Sequence, residues 1–366
     1  MKVVAAVSWE PGEPLSVEEL NMDEPRQHEI VVRMMAVGIC HTDINARNHR
    51  LPVQHPMIFG HEGAGIVERV GTSVTKVAPG DKVLLLPDYC GDCDQCKQGR
   101  TSYCENLTAT VFNGVPRAEQ NGKKVHAAFF GQSSFSNFSL VTERNVLKVS
   151  QDAPLEYLAA LTCGIQAGAG AVLNAMNVKV GTSFAVFGTG AVGMGALMMA
   201  KIAGASTIIA VDRVAERLNL ALELGATHVI NTKESSDITK EISELTGGGC
   251  DFTLDTTGVP DIIRTAFESL RTLGMCGVVA GTGREITLPV TSLLQGGRMI
   301  RGIMGGNASA GLLVKQLVSL YESGRFPFDR FVRHYPFQQV NTAMDDMLAG
   351  KVIKPVLTFA NESLSK

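Results

Sequence analysis

Ser183-Phe184-Ala185-Val186-Phe187-Gly188-Thr189-Gly190-Ala191-Val192-Gly193 is the stretch that decides the fold. The uncharged run up to Phe187 reads as a buried strand, the glycines break its period, and an apolar helix follows through Ala203. A G-x-G-x-x-G match alone is weak, because Gly-rich turns are common. Here it lies between a strand and a helix, and Asp212 stands nineteen residues after the third glycine, closing the next apolar run, Thr207–Val211. That context is the dinucleotide-binding fingerprint. Gly188 permits the tight turn, Gly190 lets backbone approach a pyrophosphate, and Gly193 permits close helix–strand packing. The helix N-terminus at Ala191 and Val192 offers unpaired N–H groups to phosphates. A carboxylate at Asp212 accepts from ribose hydroxyls and repels a 2′-phosphate, which favours NAD, although the adjacent Arg213 would welcome NADP.

Downstream the alternation continues with helix Ala215–Leu224, strand His228–Ile230, strand Phe252–Asp255, helix Asp261–Leu270 and strand Met275–Ala280. Strands alternating with helices at this interval predict βαβ units and an α/β, doubly wound parallel sheet. Upstream, the first 150 residues carry short alternating runs, such as Ile30–Met35, Ala64–Val70 and Asp81–Leu86, each bounded by Gly, Pro or Asp. These predict short antiparallel strands in a barrel-like, mainly β unit. A helix over Gly311–Ser323 and strand text over Val352–Phe359 follow, and this last stretch is expected to return to the first unit. The expected division is 1–164, 165–302 and 303–366.

A chain of 366 residues with 45% hydrophobic and 19% charged residues is expected to form two soluble domains. A net charge of −3 gives no field for gathering phosphates, so nucleic acid is an unexpected partner. Tyr157–Val178 and Val180–Ala200 are uncharged at about the length a bilayer requires. Both are interrupted by glycines and carry Asn, Gln or Thr, so no membrane span is expected. The apolar run after Met1 is too short for a signal peptide, and a cytoplasmic location is expected.

Eight cysteines, several in C-x2-C spacing, read as metal ligands in a reducing compartment. Cys90, Cys93, Cys96 and Cys104 (the lobe spanning about 88–106) can close four thiolates around one tetrahedral zinc, with a redox dithiol as the rival reading. A four-sulfur site leaves no room for substrate and is therefore structural. Cys40 and His61 form a second candidate set, with Cys163 far downstream. Two sulfurs and one imidazole leave a fourth position open for water or an alcohol. Alone, His61 would read as a satisfied core histidine and Cys40 as a buried thiol; their neighbours and the independent nicotinamide signal change that. Cys250 and Cys276 read as small buried thiols.

The segments GIC40HTD, GH61EGAGIVERVG, the Cys90–Cys104 lobe, C163GIQ and GTGAVG resemble zinc-dependent medium-chain alcohol dehydrogenases along essentially the whole chain. The Cys2His combination is the recognised catalytic zinc set of alcohol dehydrogenase. The resemblance implies a GroES-like catalytic domain, a Rossmann domain, two zinc ions per subunit, NAD, and a homo-oligomer, dimer or tetramer. Phe129–Val141 and Leu161–Ala175 look most like bacterial aryl- (benzyl-) alcohol and geraniol-type dehydrogenases, which implies a primary aryl or allylic alcohol oxidised reversibly to its aldehyde. Carried over by position, Cys40, His61 and Cys163 hold the catalytic zinc and Glu62 approaches it. Asp43 steadies the zinc histidine, and Thr42 takes the alcohol proton. His41 and Lys354 contact the pyrophosphate, and Arg217 lies near the adenosine ribose. Leu86, Pro87, Ile303 and Met304 line the substrate slot. One position departs from the family: Asn45 stands where liver-type enzymes end the proton relay on histidine, which puts the proton path beyond Thr42 in question. Two rival readings remain at this point: a polyol or other secondary-alcohol dehydrogenase of the same superfamily, and a catalytically silent zinc- and NAD-binding regulatory protein. The intact Cys40/Thr42/His61/Cys163 set opposes the second.

Overall fold

A computed structural model of the chain describes residues 1–112, 115–281, 283 and 285–359. The chain divides into two compact units. One contains Met1–Cys163, Ser309–Val318 and the segment from Asp329 onward; the other contains Gly164–Ala308 and Ser319–Phe328.

The first unit is built mainly on antiparallel strands, with parallel pairings only between Met57–Ile58 and Lys123–His126 and between Val332–Pro336 and Lys354–Thr358 among the described residues. Lys2–Ser8, Ser16–Met22, Pro116–Gln120, Lys123–His126 and Met57–Ile58 close into a barrel. A second sheet runs Val146–Lys148, Lys82–Leu85, Gly63–Val70, Glu29–Gly38, Lys354–Thr358, Val332–Pro336, with Phe138–Thr142 also pairing Glu29–Gly38. Glu29–Gly38 is the longest strand and is buried at Ile30, Val31, Val32, Met34, Ala36 and Val37, because it has neighbours on both edges and packs on both faces. Phe59, Phe129 and Phe135 fill the core around it.

The second unit is a six-stranded, wholly parallel sheet in the order His228–Asn231, Thr207–Asp212, Ser183–Phe187, Cys250–Asp255, Leu270–Val278, Met299–Gly302. In chain order that is 3-2-1-4-5-6, the Rossmann arrangement, whose ligand crevice lies where the order reverses, beyond Phe187. Ser183–Phe187 is buried at all five residues, as a central parallel strand must be. The helix Ala191–Ala203 stops at Gly204, which takes the left-handed conformation (φ 87°) that a side chain would resist. Cys250 and Cys276 are fully buried, and burial pushes both thiols up to about 12.

Three elements of the second unit stand out against expectation. The helix expected to reach Leu270 ends at Glu268, because Leu270 leaves it to pair with Cys250 at a register shift. Helix Ile238–Thr246 and strand Met299–Gly302 complete the second unit without having been foreseen. Among the described residues no single helix is long and apolar enough to cross a membrane; the stretch after Tyr157 breaks at Cys163 into Leu155–Thr162 and Gly164–Ala175.

Candidate active site

Cys40 occupies the N-cap of the short helix His41–Arg47, with its backbone extended (φ −124°, ψ 157°). Asp43, three residues on, closes a capping box by accepting the Cys40 N–H at 2.9 Å. The sequence CHTD therefore does two things at once: it starts a helix and places a thiol and a carboxylate on its first turn. Thr42 puts its hydroxyl 3.5 Å from the Cys40 sulfur. His41, the first helical residue, is exposed.

The other carboxylate oxygen of Asp43 reaches into the link between strands Met57–Ile58 and Gly63–Val70. It accepts from the Gly60 N–H at 3.1 Å and meets His61 Nδ1 at 2.9 Å. With Nδ1 committed, Nε2 is the free ligand atom, and it lies 3.2 Å from Cys163 Sγ. Cys163 Sγ in turn lies 4.0 Å from Cys40 Sγ. Ligand atoms of Cys40, His61, Glu62 and Cys163 all fall within 4.8 Å of one another. Sulfurs on a tetrahedral zinc, at Zn–S of about 2.3 Å, stand roughly 3.8 Å apart, so the donor spacing and chemistry fit that ion.

The electrostatics point the same way. The hydrogen bond from Cys163 holds the Cys40 thiol well below its usual range against the cost of burial, with His61 and Lys354 assisting. Cys163 is correspondingly pushed well above its range by Cys40 and by burial. Burial disfavours a charged His61, yet the Asp43 carboxylate and Cys40 outweigh it and lift the imidazole to about 10. Thiols and imidazole that share protons in this way release them to a divalent cation.

Glu62 is fully buried, and burial pushes its carboxyl up to about 7 even though the Lys354 ammonium touches Oε2. Lys354, for which a pyrophosphate contact was expected, is 2% exposed; its ammonium pairs with Glu62 and donates to the Ile39 carbonyl at 3.1 Å. It neutralises Glu62.

The four lobe cysteines also gather their sulfurs within 4.8 Å, and none is in a disulfide. Cys90 and Cys96 sulfurs are 3.9 Å apart, again the separation of tetrahedral zinc ligands. Backbone N–H groups of Cys90, Cys93, Cys96 and Glu105 donate to Cys104, Cys90, Cys93 and Cys93 sulfurs at 3.3–3.5 Å. Hydrogen bonds from Asn106 and the backbone lower Cys90 to about 6, while burial pushes Cys96 up to about 12. Arg144 ties the base of this lobe to Asp88 at 2.7 Å.

In the second unit, Gly188 turns the chain with φ 92°, and a side chain at Gly190 would project into open space rather than protein, which is what a backbone-bound diphosphate needs. Gly193 lies under the Gly188 carbonyl. Asp212 Oδ2 accepts from Thr189 N and Oγ1, both at 2.7 Å, and Oδ1 from Arg213 N at 2.7 Å and Val214 N at 3.1 Å. The carboxylate is thus held rigid at the strand end. Arg213 is exposed, and Arg217 is half-buried on the following helix.

Residues 26–151 match the alcohol dehydrogenase GroES-like domain and residues 191–321 the zinc-binding dehydrogenase domain. Geraniol dehydrogenase of Castellaniella defragrans is 39% identical, over 97% of each chain. The chain belongs to the zinc-dependent medium-chain alcohol dehydrogenases. A zinc-binding-domain alcohol dehydrogenase from Burkholderia ambifaria superposes with TM-score 0.96 at 46% identity, covering 99% of this chain and all of that one. Benzyl alcohol dehydrogenase from Acinetobacter calcoaceticus gives TM-score 0.93 at 41% identity, covering 98% of this chain and all of that one.

The medium-chain dehydrogenase reading of the sequence left one group without roles. Gln132, fully buried, donates from Nε2 to the His61 carbonyl at 3.0 Å and accepts the Gly63 N–H at 3.1 Å, bracketing Glu62. Ser133 donates to the Ile58 carbonyl at 2.6 Å, and Phe135 N to the Phe59 carbonyl at 2.9 Å. The strip 58–63 carrying His61 is therefore zipped onto the strip 129–135. Phe130 stacks on the His61 ring (centroids 4.4 Å, 27°), with Phe129 edge-on at 5.6 Å. Phe130 holds φ 53°, a conformation costly for an aromatic residue and typical of functional sites. The signal for these roles was the polar run Gln132-Ser133-Ser134 inside otherwise apolar text.

Proposed function

We propose that this alcohol dehydrogenase oxidises primary alcohols whose carbinol carbon adjoins an aromatic ring or a C=C bond, reversibly, with NAD as hydride acceptor and two zinc ions per chain. The observation that carries the reading is the cluster of buried His61 with half-buried Cys40 and Cys163, flanked by the Thr42 hydroxyl and the Phe129–Phe130 wall. Zinc at this cluster, when bound, supplies a Lewis acid able to acidify a hydroxyl near neutral pH.

The chain's own residues do the rest. Asp43 fixes the His61 tautomer and ring plane, as outer partners of metal-binding imidazoles do. Thr42 Oγ1, 3.5 Å from Cys40 Sγ, is placed to receive the hydroxyl proton of a substrate at the cluster. Phe130 offers a flat apolar face beside His61, suited to a planar aryl or allyl group. Conjugation in such an aldehyde product lowers the cost of losing hydride. Asp212 favours NAD over NADP for the reason of charge given above, and Gly188 and Gly190 leave room for the diphosphate. The names of the Castellaniella and Acinetobacter relatives support the same substrate class. The lobe cysteines would hold the structural ion.

A homo-oligomer is part of the proposal. Leu273, Val290, Leu294 and Met299 are exposed around the open edge strand Met299–Gly302, apolar surface that a second copy would cover. Eight cysteines free of disulfides accord with a reducing, cytoplasmic setting. The test is a steady-state screen of NAD and NADP reduction over benzyl alcohol, geraniol, ethanol and a polyol. Higher kcat/KM for ethanol or the polyol than for benzyl alcohol and geraniol would overturn the substrate class.

A further inference from the structure

We propose that Gly38 is a positioning residue: its missing side chain gives the Glu62 carboxylate a berth off the metal, beside Lys354, and so keeps a ligand position open. The inference rests on the reading of Cys40, His61 and Cys163 as zinc ligands.

Gly38 ends the strand Glu29–Gly38 and donates its N–H to the Glu62 carbonyl at 3.0 Å. Its backbone is not in the left-handed region, so conformation does not call for glycine here. Space does. A Cβ on Gly38 would overlap Glu62 Oε2 and lie 3.1 Å from Cδ and 3.2 Å from Cβ of the same side chain. The three nearest atoms to that absent methyl all belong to Glu62. The volume of one side chain is thus occupied by the carboxylate of another.

The carboxylate stands between two hosts. On one side Oε2 touches the Lys354 ammonium; on the other, a Glu62 oxygen lies within 4.8 Å of the Cys40, His61 and Cys163 ligand atoms. Oε1 is buried with no hydrogen-bond partner, a costly condition that a cation would relieve. A methyl at residue 38 removes the berth. Glu62 is the flexible end of the clash and must turn, and the ligand cluster is the host left to it. The fourth position, needed by an alcohol, then closes.

The experiment measures the rate at which zinc outside the lobe passes to a chelator, and the visible spectrum of the cobalt-substituted enzyme without substrate, in wild type, Gly38→Ala, Glu62→Gln and the double variant. Gly38→Ala is expected to slow release by about tenfold or more, the scale of changes around metal ligands. It should also alter the cobalt spectrum and lower kcat, and the double variant should match Glu62→Gln alone. Unchanged or faster release in Gly38→Ala, or an equal effect in the Glu62→Gln background, overturns the proposal. If Gly38→Ala does not fold, Lys354→Met removes the other side of the berth. It must then slow release in a Glu62-dependent way, and failure to do so also overturns it. Failure of the underlying zinc reading looks different: wild-type protein itself would lack releasable zinc beyond the lobe and show no sulfur-to-cobalt absorption.

Discussion

Asp43→Asn tests the construction of the metal cluster most directly. The carboxylate makes three bonds at zero exposure: His61 Nδ1 and Gly60 N on Oδ1, Cys40 N on Oδ2. An amide has one accepting oxygen. If that oxygen stays with His61 and Gly60, the NH2 faces the Cys40 N–H, donor against donor. Leaving one buried donor unmet costs about 1–3 kcal/mol, and exchanging a charged acceptor for a neutral one on His61 costs about 1 kcal/mol more. The folded state should therefore lose about 2–4 kcal/mol. The part expressed in metal binding should be a fall of about 10–100-fold in zinc affinity, because His61 loses its orienting partner. Competition against a chromophoric chelator, alongside urea unfolding, reads both quantities. In metal-free protein the His61 imidazole should also titrate well below the value of about 10 that Asp43 helps to impose. Zinc affinity within threefold of wild type, together with an unmoved His61 titration, would refute the assignment of Asp43 as the orienting group.

Further outcomes follow from the same geometry. Thr42→Ala should lower kcat by about 10²–10⁴, the usual worth of a positioned proton acceptor, while Thr42→Ser retains most of it; equal rates in the two variants would move the proton path elsewhere. Asp212→Gly removes an acceptor and a charge, and should weaken NAD by about 10–100-fold while improving NADP, as read by calorimetric titration. Cys93→Ser should strip the lobe ion and lower the melting temperature while the Cys40/His61/Cys163 ion stays bound, which metal analysis of the purified variant decides. In metal-free protein His61 is raised from 6.5 to about 10, so its stabilisation is complete below pH 6.5 and disappears as pH rises through 10. Zinc must displace that proton and the one on Cys163, so apparent affinity should rise with pH by about two orders of magnitude per unit below pH 9. A pH-independent affinity would contradict this sharing of protons.

Local patterns were readable where one segment supplies both its own structure and its own chemistry. Ala215–Leu224 was expected and found to the residue, because apolar periodicity and the following Gly225 mark both ends. CHTD declared itself through residue types, and the 3.5 Å approach of Thr42 to Cys40 is local, between the N-cap and the second helical residue. Relations between distant segments were not readable. Nothing near Lys354 in sequence shows that its ammonium would be buried on Glu62, since ion pairing of a buried lysine depends on which strand lies beside it. The polar run at Gln132 was visible but its partners were hidden for the same reason: its amide serves backbone groups 71 and 69 residues away. Helix Ile238–Thr246 did carry local signs, with Asp237 as N-cap and Gly247 as terminator, but its largely charged face obscured the apolar spacing.

The sheet that carries Cys40 is completed by the strand Lys354–Thr358, whose Val356 pairs with Gly38. Glu62 thus waits 292 residues for its counter-ion, while the parallel-sheet unit occupies most of the interval. On the ribosome that nested unit can therefore close first, around its own contiguous strands. The thiols, imidazole and carboxylate that precede it must remain beside an unfinished sheet until nearly the whole chain has emerged. Order of synthesis thus completes the Cys40/His61/Glu62/Cys163 cluster late, after the parallel-sheet unit has already taken shape.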